Sequence, residues 1–170
     1  MSTDSEADAG ADRDALLHTA WRQFIADTGT PECDPYPADQ FGDLPELADL
    51  LGRLAADGTK QATCAALAQF EAAGEALPAI GDREIVLDGT GRPLCIIETT
   101  GVRVRPYNEV DAAFAYDEGE DDRSLAAWRR AHWPYFERVL PPLGLTPAED
   151  MPVVCHWFRC IYVWPWARGD

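Results

Sequence analysis

Of the fourteen basic residues in this 170-residue chain, thirteen are arginine and one, Lys60, is lysine. The bias toward Arg, Ala and Gly fits a high-GC coding bias, under which a lysine that need only be positive drifts to arginine. Arginine keeps its proton in any protein setting, whereas a partly buried lysine can lose one. Lys60 is thus a candidate for chemistry that needs a compact or titratable amine; the alternative is a chance survivor on a solvated helix end. Cys155-His156 with Cys160 offers ligand-type side chains. The segment reads as a strand, which puts Cys155 and His156 on opposite faces, and no second Cys-x-x-Cys pair accompanies them, so a structural zinc site is not expected. The five cysteines (Cys33, Cys64, Cys95, Cys155, Cys160) are odd in number and scattered, and read as small core residues instead of a disulfide framework. Arg103 and Arg105 alternate with Val102 and Val104, so two guanidiniums share one strand face, toward an anionic ligand or toward solvent. His132 falls on an apolar helical stripe, as an acid–base group or as a packed core residue.

The charge distribution narrows the partners. Thirty acidic against fourteen basic residues give a net charge of −16. Such a surface repels phosphates at long range and disfavours non-specific nucleic-acid binding. The excess sits mainly in residues 1–14 and in 109–122, while residues 123–170 carry more arginine than acid. With 46% hydrophobic residues the chain can bury a core, which excludes wholesale disorder. Its apolar runs are far shorter than the roughly 20 residues of a membrane span, and its beginning shows no secretory signal. A soluble, cytoplasmic protein is expected. No phosphate-binding Gly-Lys-Ser/Thr loop, Gly-x-Gly-x-x-Gly, Gly-x-Ser-x-Gly or His-Glu-x-x-His motif is found, so nucleotide-dependent kinases, dinucleotide enzymes, hydrolase-fold esterases and zincins are not expected.

The elements that must position these residues follow from periodicity and punctuation. Residues 1–10 read as a disordered acidic leader. Leu17, Ala20, Trp21 and Phe24 recur at helical spacing within 11–28 and are followed by a Pro-rich loop to residue 40. Asp43 and Pro45 open a second helix with Leu47, Leu50, Leu51 and Leu54 inward and Gly58 as its stop. A short strand is expected over 61–64 and a helix over 65–73. Residues 84–88 and 93–100 read as two strands joined by Asp88-Gly89-Thr90-Gly91, the second continuing through Arg105. Glu98 shares a face with Leu94 and Ile96, and a buried carboxylate must be paired or protonated. The acidic stretch 109–122 reads as a loop. Ser124 caps a long helix carrying Leu125, Trp128, His132, Tyr135 or Phe136, and Val139 on one side and Pro134 inside it. Residues 153–164 form a last buried strand. Hairpin strands and separated helices without regular βαβ alternation indicate an α+β domain.

The ordered set Phe41-Gly42-Asp43, Asp57-Gly58-Thr59-Lys60-Gln61-Ala62-Thr63, Gly81-Asp82, Asp88-Gly89, Cys95-Ile96-Ile97-Glu98-Thr99-Thr100, Phe114-Ala115-Tyr116 with Glu118-Gly119-Glu120, Ser124-Leu125 with Trp128-Arg129, and Met151-Pro152-Val153-Val154 resembles the ASCH domain, a branch of the PUA-like superfamily. The resemblance implies a PUA-like mixed β-barrel flanked by helices over 41–165, with a cleft walled by the Gly-x-Lys-x-x-Thr segment that begins at Gly58. It also implies activity on a nucleoside, a modified base or RNA. One ASCH branch is an amidohydrolase that deacetylates N4-acetylcytidine with a lysine, a threonine three residues on and a glutamate; Lys60 and Thr63 match, and Glu118 or Glu120 takes the third place. In that arrangement the Lys60 amine would deprotonate the Thr63 hydroxyl and a carboxylate would orient the lysine or carry protons.

Two other classes stay open. A metal-independent ribonuclease on single-stranded RNA would use Lys60 as the cation, Ser124 as a contact at a helix N-terminus and His132 as an acid–base group. A non-catalytic reader would stack one modified base on Trp128, Tyr116 or Trp133. The expected substrate-binding set is Gly58, Glu98, Arg103, Arg105, Ser124 and Trp128. No cofactor and no metal are expected, the partners being a nucleoside or single-stranded RNA and no membrane. Deacylation of an uncharged cytidine fits the net charge of −16 better than processing long RNA.

Overall fold

Caps and breakers divide the chain where its hydrophobic period changes. The computed structural model describes residues 3–168, in the order α1 (Thr3–Thr28), β1 (Ala38–Asp39), α2 (Pro45–Ala56), β2 (Ala62–Ala66), α3 (Leu67–Ala73), β3 (Arg83–Leu87), β4 (Pro93–Pro106), α4 (Ala112–Glu118), α5 (Leu125–Val139) and β5 (Pro152–Val163). The strands hydrogen-bond in the order β1-β3-β4-β5-β2. β1 runs parallel to β3, with Ala38 opposite Ile85, and β2 runs antiparallel to β5, with Thr63 opposite His156 and Cys64 opposite Cys155. The architecture is the expected α+β one, a sheet flanked by helices. The sheet is nonetheless open, not a barrel: β1 and β2 are its edges. Closure requires the two edges to pair along their length, and β1 offers two residues for that.

Two compact units divide the chain. The first takes in the chain up to Ala56, Arg83–Ile97 and the part from Cys160 on. Its core is Ala20, Trp21 and Phe24 of α1 with Ile85, Leu87, Ile96 and Trp164, the apolar spacing read in the sequence for α1. The indole of Trp164 donates to the Ala20 carbonyl at 2.9 Å, which satisfies the polar atom of a fully buried ring. Of the acidic leader, Met1 and Ser2 lie outside the described residues, and α1 begins at Thr3.

The second unit, Asp57–Asp82 with Glu98–Arg159, holds every expected site residue. Ala62, Cys64 and Ala66 of β2 and Val153 and Cys155 of β5 form one face and pack against Phe114 and Ala115 of α4 and Trp128 and Phe136 of α5. The stretch expected to be an acidic loop contains α4. Its signals were present: Asp111 caps the helix by accepting from the Phe114 amide at 2.9 Å, Ala112, Ala113 and Ala115 are strong helix formers, and Gly119 stops it. Charge density masked these cues. Ser124 caps α5 as expected, accepting from the Ala127 amide at 3.1 Å, and Pro134 lies within that helix.

Gly119 does more than end α4. Its φ is +72°, and a Cβ there would lie 2.3 Å from the Thr59 carbonyl oxygen. The same turn is fastened by the Gln61 amide, which donates to the Asp117 carbonyl at 2.8 Å. Gly74, at the end of α3, has a similar φ of +67° but open space around its Cβ direction. Gly74→Ala is therefore expected to cost only the left-handed backbone penalty of about 1–2 kcal/mol. Gly119→Ala must add a backbone collision and is expected to cost clearly more, as read from urea denaturation of the two variants side by side.

Candidate active site

Lys60 leaves the turn before β2 and points its ammonium into the protein, where the residue is 1% exposed. A charge taken out of water needs compensation. Two carboxylates from the α4–α5 segment provide it: Nζ lies 3.0 Å from Glu118 Oε2 and 2.6 Å from Glu120 Oε1. Glu118 is itself fully buried. Its second oxygen, Oε1, accepts from the Trp128 indole at 2.9 Å and lies 3.3 Å from His132 Nε2. The His132 ring stacks on Trp128, centroids 4.3 Å apart at 18°, and its Nδ1 lies 2.9 Å from the Trp128 carbonyl oxygen. Helical spacing produces this: residues 128 and 132 are one turn apart on the buried side of α5. Glu120 lies just beyond Gly119 and its side chain is 20% exposed, so it is the accessible end of the cluster.

The two carboxylates share Lys60 but titrate in opposite directions. Burial pushes Glu118 up, but Lys60 and then His132 outweigh it and hold the carboxyl well below the usual range. For Glu120, burial dominates, Lys60 opposes it and the charge of Glu118 adds to it, so the carboxyl is raised. Burial also works against the Lys60 ammonium, yet Glu118 and Glu120 more than offset it and the amine is raised. Lys60 is accordingly a charged ammonium here, not the free amine expected of a base.

Around the cluster the backbone is unusually constrained. Gly58 has φ +84° and its carbonyl accepts from the Gln61 side chain at 3.0 Å. Asp121 and Arg123, neither of them glycine, have φ of +49° and +63°. The Arg123 guanidinium stacks 3.8 Å over the Tyr116 ring and donates to the Tyr116 carbonyl at 3.0 Å. Trp157 donates its indole hydrogen to Asp117 at 3.0 Å. These contacts tie the residues on both sides of Glu120 to the body of the second unit.

Of the residues singled out in the sequence, Lys60, Glu118, Glu120 and Trp128 meet in one place. Trp128 is buried and its polar atom is directed at Glu118, so it holds the carboxylate. Thr63 is half-buried on β2, beside His156 and on the opposite strand face from Ala62 and Cys64. The neighbouring His156 Nε2 lies 2.8 Å from the Thr99 hydroxyl, and burial lowers its pKa to about 4, so it is neutral at pH 7. Glu98 pairs with Arg159 at 2.6 Å, Arg105 pairs with Asp111 at 3.0 Å, Arg103 is exposed, and the Ser124 hydroxyl is engaged as a helix cap. His132, read from the sequence as an acid–base group or a packed core residue, joins the cluster through Glu118. The available signal was its i, i+4 spacing from Trp128 on an apolar stripe, since each buried N–H bearing ring needs an acceptor. Burial and the Cys155 thiol raise Cys64 well above the usual thiol range, which argues against a nucleophilic thiolate there. Among the described residues no group of three or more His, Cys, Asp or Glu side chains is placed to hold a metal ion, and no helix is long and apolar enough to cross a membrane.

Comparison with known proteins agrees with this architecture. The ASCH-domain family model matches residues 37–162. The crystal structure of protein EF3133 from Enterococcus faecalis V583, of the family DUF984, is 33% identical and superimposes with a TM-score of 0.77 over 88% of this chain and 90% of that one. The ASCH domain of Lactobacillus crispatus JV V101 is also 33% identical, with a TM-score of 0.77 over 89% of this chain and 95% of that one. No protein of curated function matches the sequence. The chain belongs to the ASCH family, which is PUA-like and linked to RNA- and nucleoside-related functions.

The ion pairs of the second unit should differ sharply in energetic weight. Glu118→Ala leaves the buried Lys60 with Glu120 alone and takes the acceptor from the Trp128 indole and the His132 ring, and is expected to cost about 3–5 kcal/mol. Trp128→Phe removes one hydrogen bond to a charged acceptor, about 1.5–3 kcal/mol. Arg159→Ala breaks a pair whose cation is 67% exposed and should cost no more than about 1 kcal/mol. Chemical denaturation of the three variants at pH 7 checks the order, and a Glu118→Ala change as mild as Arg159→Ala would contradict it.

Proposed function

We propose that this ASCH-domain protein hydrolyses the amide of an N4-acylated cytidine, with Glu120 and Lys60 as the working pair. The observation that carries the reading is the buried Lys60 ammonium, hydrogen-bonded to a carboxylate that is partly open to solvent. Glu120 is the group a ligand meets first. Its raised pKa makes it a stronger base than an ordinary carboxylate. When it takes the proton of an attacking hydroxyl, its charge is lost and the Lys60 ammonium becomes available to the carbonyl oxygen, where negative charge develops. A C–O bond forms at the carbonyl carbon and the C–N bond breaks. The proton passes from Glu120 to N4, and cytidine leaves.

The hydroxyl is either that of Thr63, as the family resemblance implies, or that of a water. With Thr63 an acyl ester forms and a water then cleaves it to the free acid; with water the acid forms directly. The alternation of β2, which turns Thr63 away from the Ala62 and Cys64 face, favours water. The surrounding charge supports a nucleoside over long RNA: Asp117, Glu118, Glu120, Asp121 and Asp122 crowd this segment, and a phosphate chain would be repelled there.

The test is liquid chromatography of N4-acetylcytidine incubated with the wild type, Glu120→Gln and Thr63→Val. Glu120 is partly exposed, so its variant is expected to stay folded, which a thermal melt verifies. Wild type should release cytidine and acetate, and Glu120→Gln should be slower by about 100-fold or more. Retained turnover by Thr63→Val identifies water as the nucleophile; its loss identifies the threonine. No cytidine from the wild type overturns hydrolysis of this amide, and cleavage of single-stranded RNA by the same sample would then assign the ribonuclease reading.

A further inference from the structure

Both ring nitrogens of His132 face acceptors. Its Nδ1 lies 2.9 Å from the Trp128 carbonyl oxygen, which can only accept a hydrogen bond. Its Nε2 lies 3.3 Å from Glu118 Oε1, a carboxylate oxygen that already accepts the Trp128 indole hydrogen. A neutral imidazole carries one N–H, so either tautomer would aim a lone pair at one of these oxygens. Stacking on Trp128 fixes the ring plane. We propose that His132 is a positioning residue that works as a buried imidazolium: it pins Glu118 from the side opposite Lys60 and thereby fixes how the Lys60 ammonium is shared between Glu118 and Glu120.

Charge balance supports this. The titratable groups that act on His132 are Glu118, Glu120 and Lys60. With His132 charged, two cations stand against two carboxylates and the buried cluster is neutral. With His132 neutral, Lys60 alone stands against both carboxylates, one of them the fully buried Glu118. Burial works against the imidazolium, but Glu118 and Glu120 outweigh it and move the ring above its ordinary 6.5. The linkage sign follows: a raised histidine contributes stability that is complete below 6.5 and is lost as pH rises through the folded value. Lys60 Nζ is closer to Glu120 than to Glu118, 2.6 against 3.0 Å, as expected if His132 draws part of the Glu118 charge to itself. Loss of the imidazolium proton would return that charge to Lys60 and loosen its hold on Glu120. The consequence for turnover rests on the reading above; the charge assignment does not.

Lys60 is the sole lysine, so lysine-selective ¹⁵N labelling gives one Nζ resonance, and histidine-selective labelling reports the rings. At pH 7, both His132 ring nitrogens should show the protonated pattern, while His156 shows the neutral one. On raising pH, the His132 rings should titrate above 6.5 and the Lys60 Nζ signal should step at the same midpoint. In His132→Gln the lysine step should vanish, and in Glu118→Gln the His132 midpoint should fall. A neutral His132 ring at pH 7, or a Lys60 signal indifferent to the His132 titration, overturns the proposal. If the wild type deacylates N4-acetylcytidine, the alkaline limb of its kcat profile should follow the same midpoint and be absent in His132→Gln. If it does not, the hydrolase reading alone falls, because the resonances decide the charge assignment without turnover.

Discussion

The second unit is organised by one requirement, that an ammonium excluded from water be surrounded by compensating charge. Lys60 is 1% exposed, and the penalty for an isolated buried ion is several kcal/mol or more. Glu118 answers it from the end of α4, but Glu118 is buried as well and needs its own donors. Trp128 and His132 supply them from α5. The chain of partners thus links the turn before β2 to both helices that pack on its face. The apolar contacts of Ala62, Cys64, Phe114 and Phe136 hold the elements together without direction, whereas the polar chain sets which residue of each helix faces which.

Glu120 is treated differently from Glu118, and the backbone shows how. It follows Gly119, which must be glycine because of its φ and its approach to Thr59. It is followed by Asp121 and Arg123 in the left-handed region, where side-chain-bearing residues are uncommon. Such conformations persist when surrounding contacts over-determine them. Here those contacts are the stacking of Arg123 on Tyr116 and its hydrogen bond to the Tyr116 carbonyl. The result is a carboxylate held at 2.6 Å from a buried cation with one-fifth of its side chain still open to solvent. Its raised pKa follows from that placement: it has one cation to share and a second carboxylate nearby, while Glu118 has two cations and an indole.

The acidic character of the chain has a local counterpart. Residues 109–122 concentrate seven acidic residues and no base, and α4 lies inside that stretch, so the accessible end of the cluster opens among negative charges. A neutral nucleoside can approach such a surface, and a phosphate-rich chain meets repulsion at distances set by the ionic strength. Of the two arginines whose shared strand face could have met an anion, Arg105 is committed to Asp111 and Arg103 is exposed.

Amphipathic period, caps and breakers act over a few neighbouring residues, so they were legible in the sequence. They placed the packed part of α1, α2, the β3 and β4 strands, the Ser124 cap and β5 close to their observed limits, and the ordered motifs pointed to the ASCH fold. The lone lysine among arginines singled out Lys60 because coding bias made its survival informative. Tertiary structure alone decided the rest. Which acidic residue turns inward depended on α4, whose Asp111 cap and Gly119 stop were hidden under the charge of the segment. Whether Glu98 and Arg105 face a ligand or each find a partner depended on Arg159 and Asp111, and the sheet's open edges depended on how little strand β1 provides. Whether Lys60 is an amine or an ammonium depended on burial and on carboxylates 58 and 60 residues away. A sequence records the types of groups a chain carries, but a pKa is set by distance and solvent exclusion, which exist only once the chain is folded.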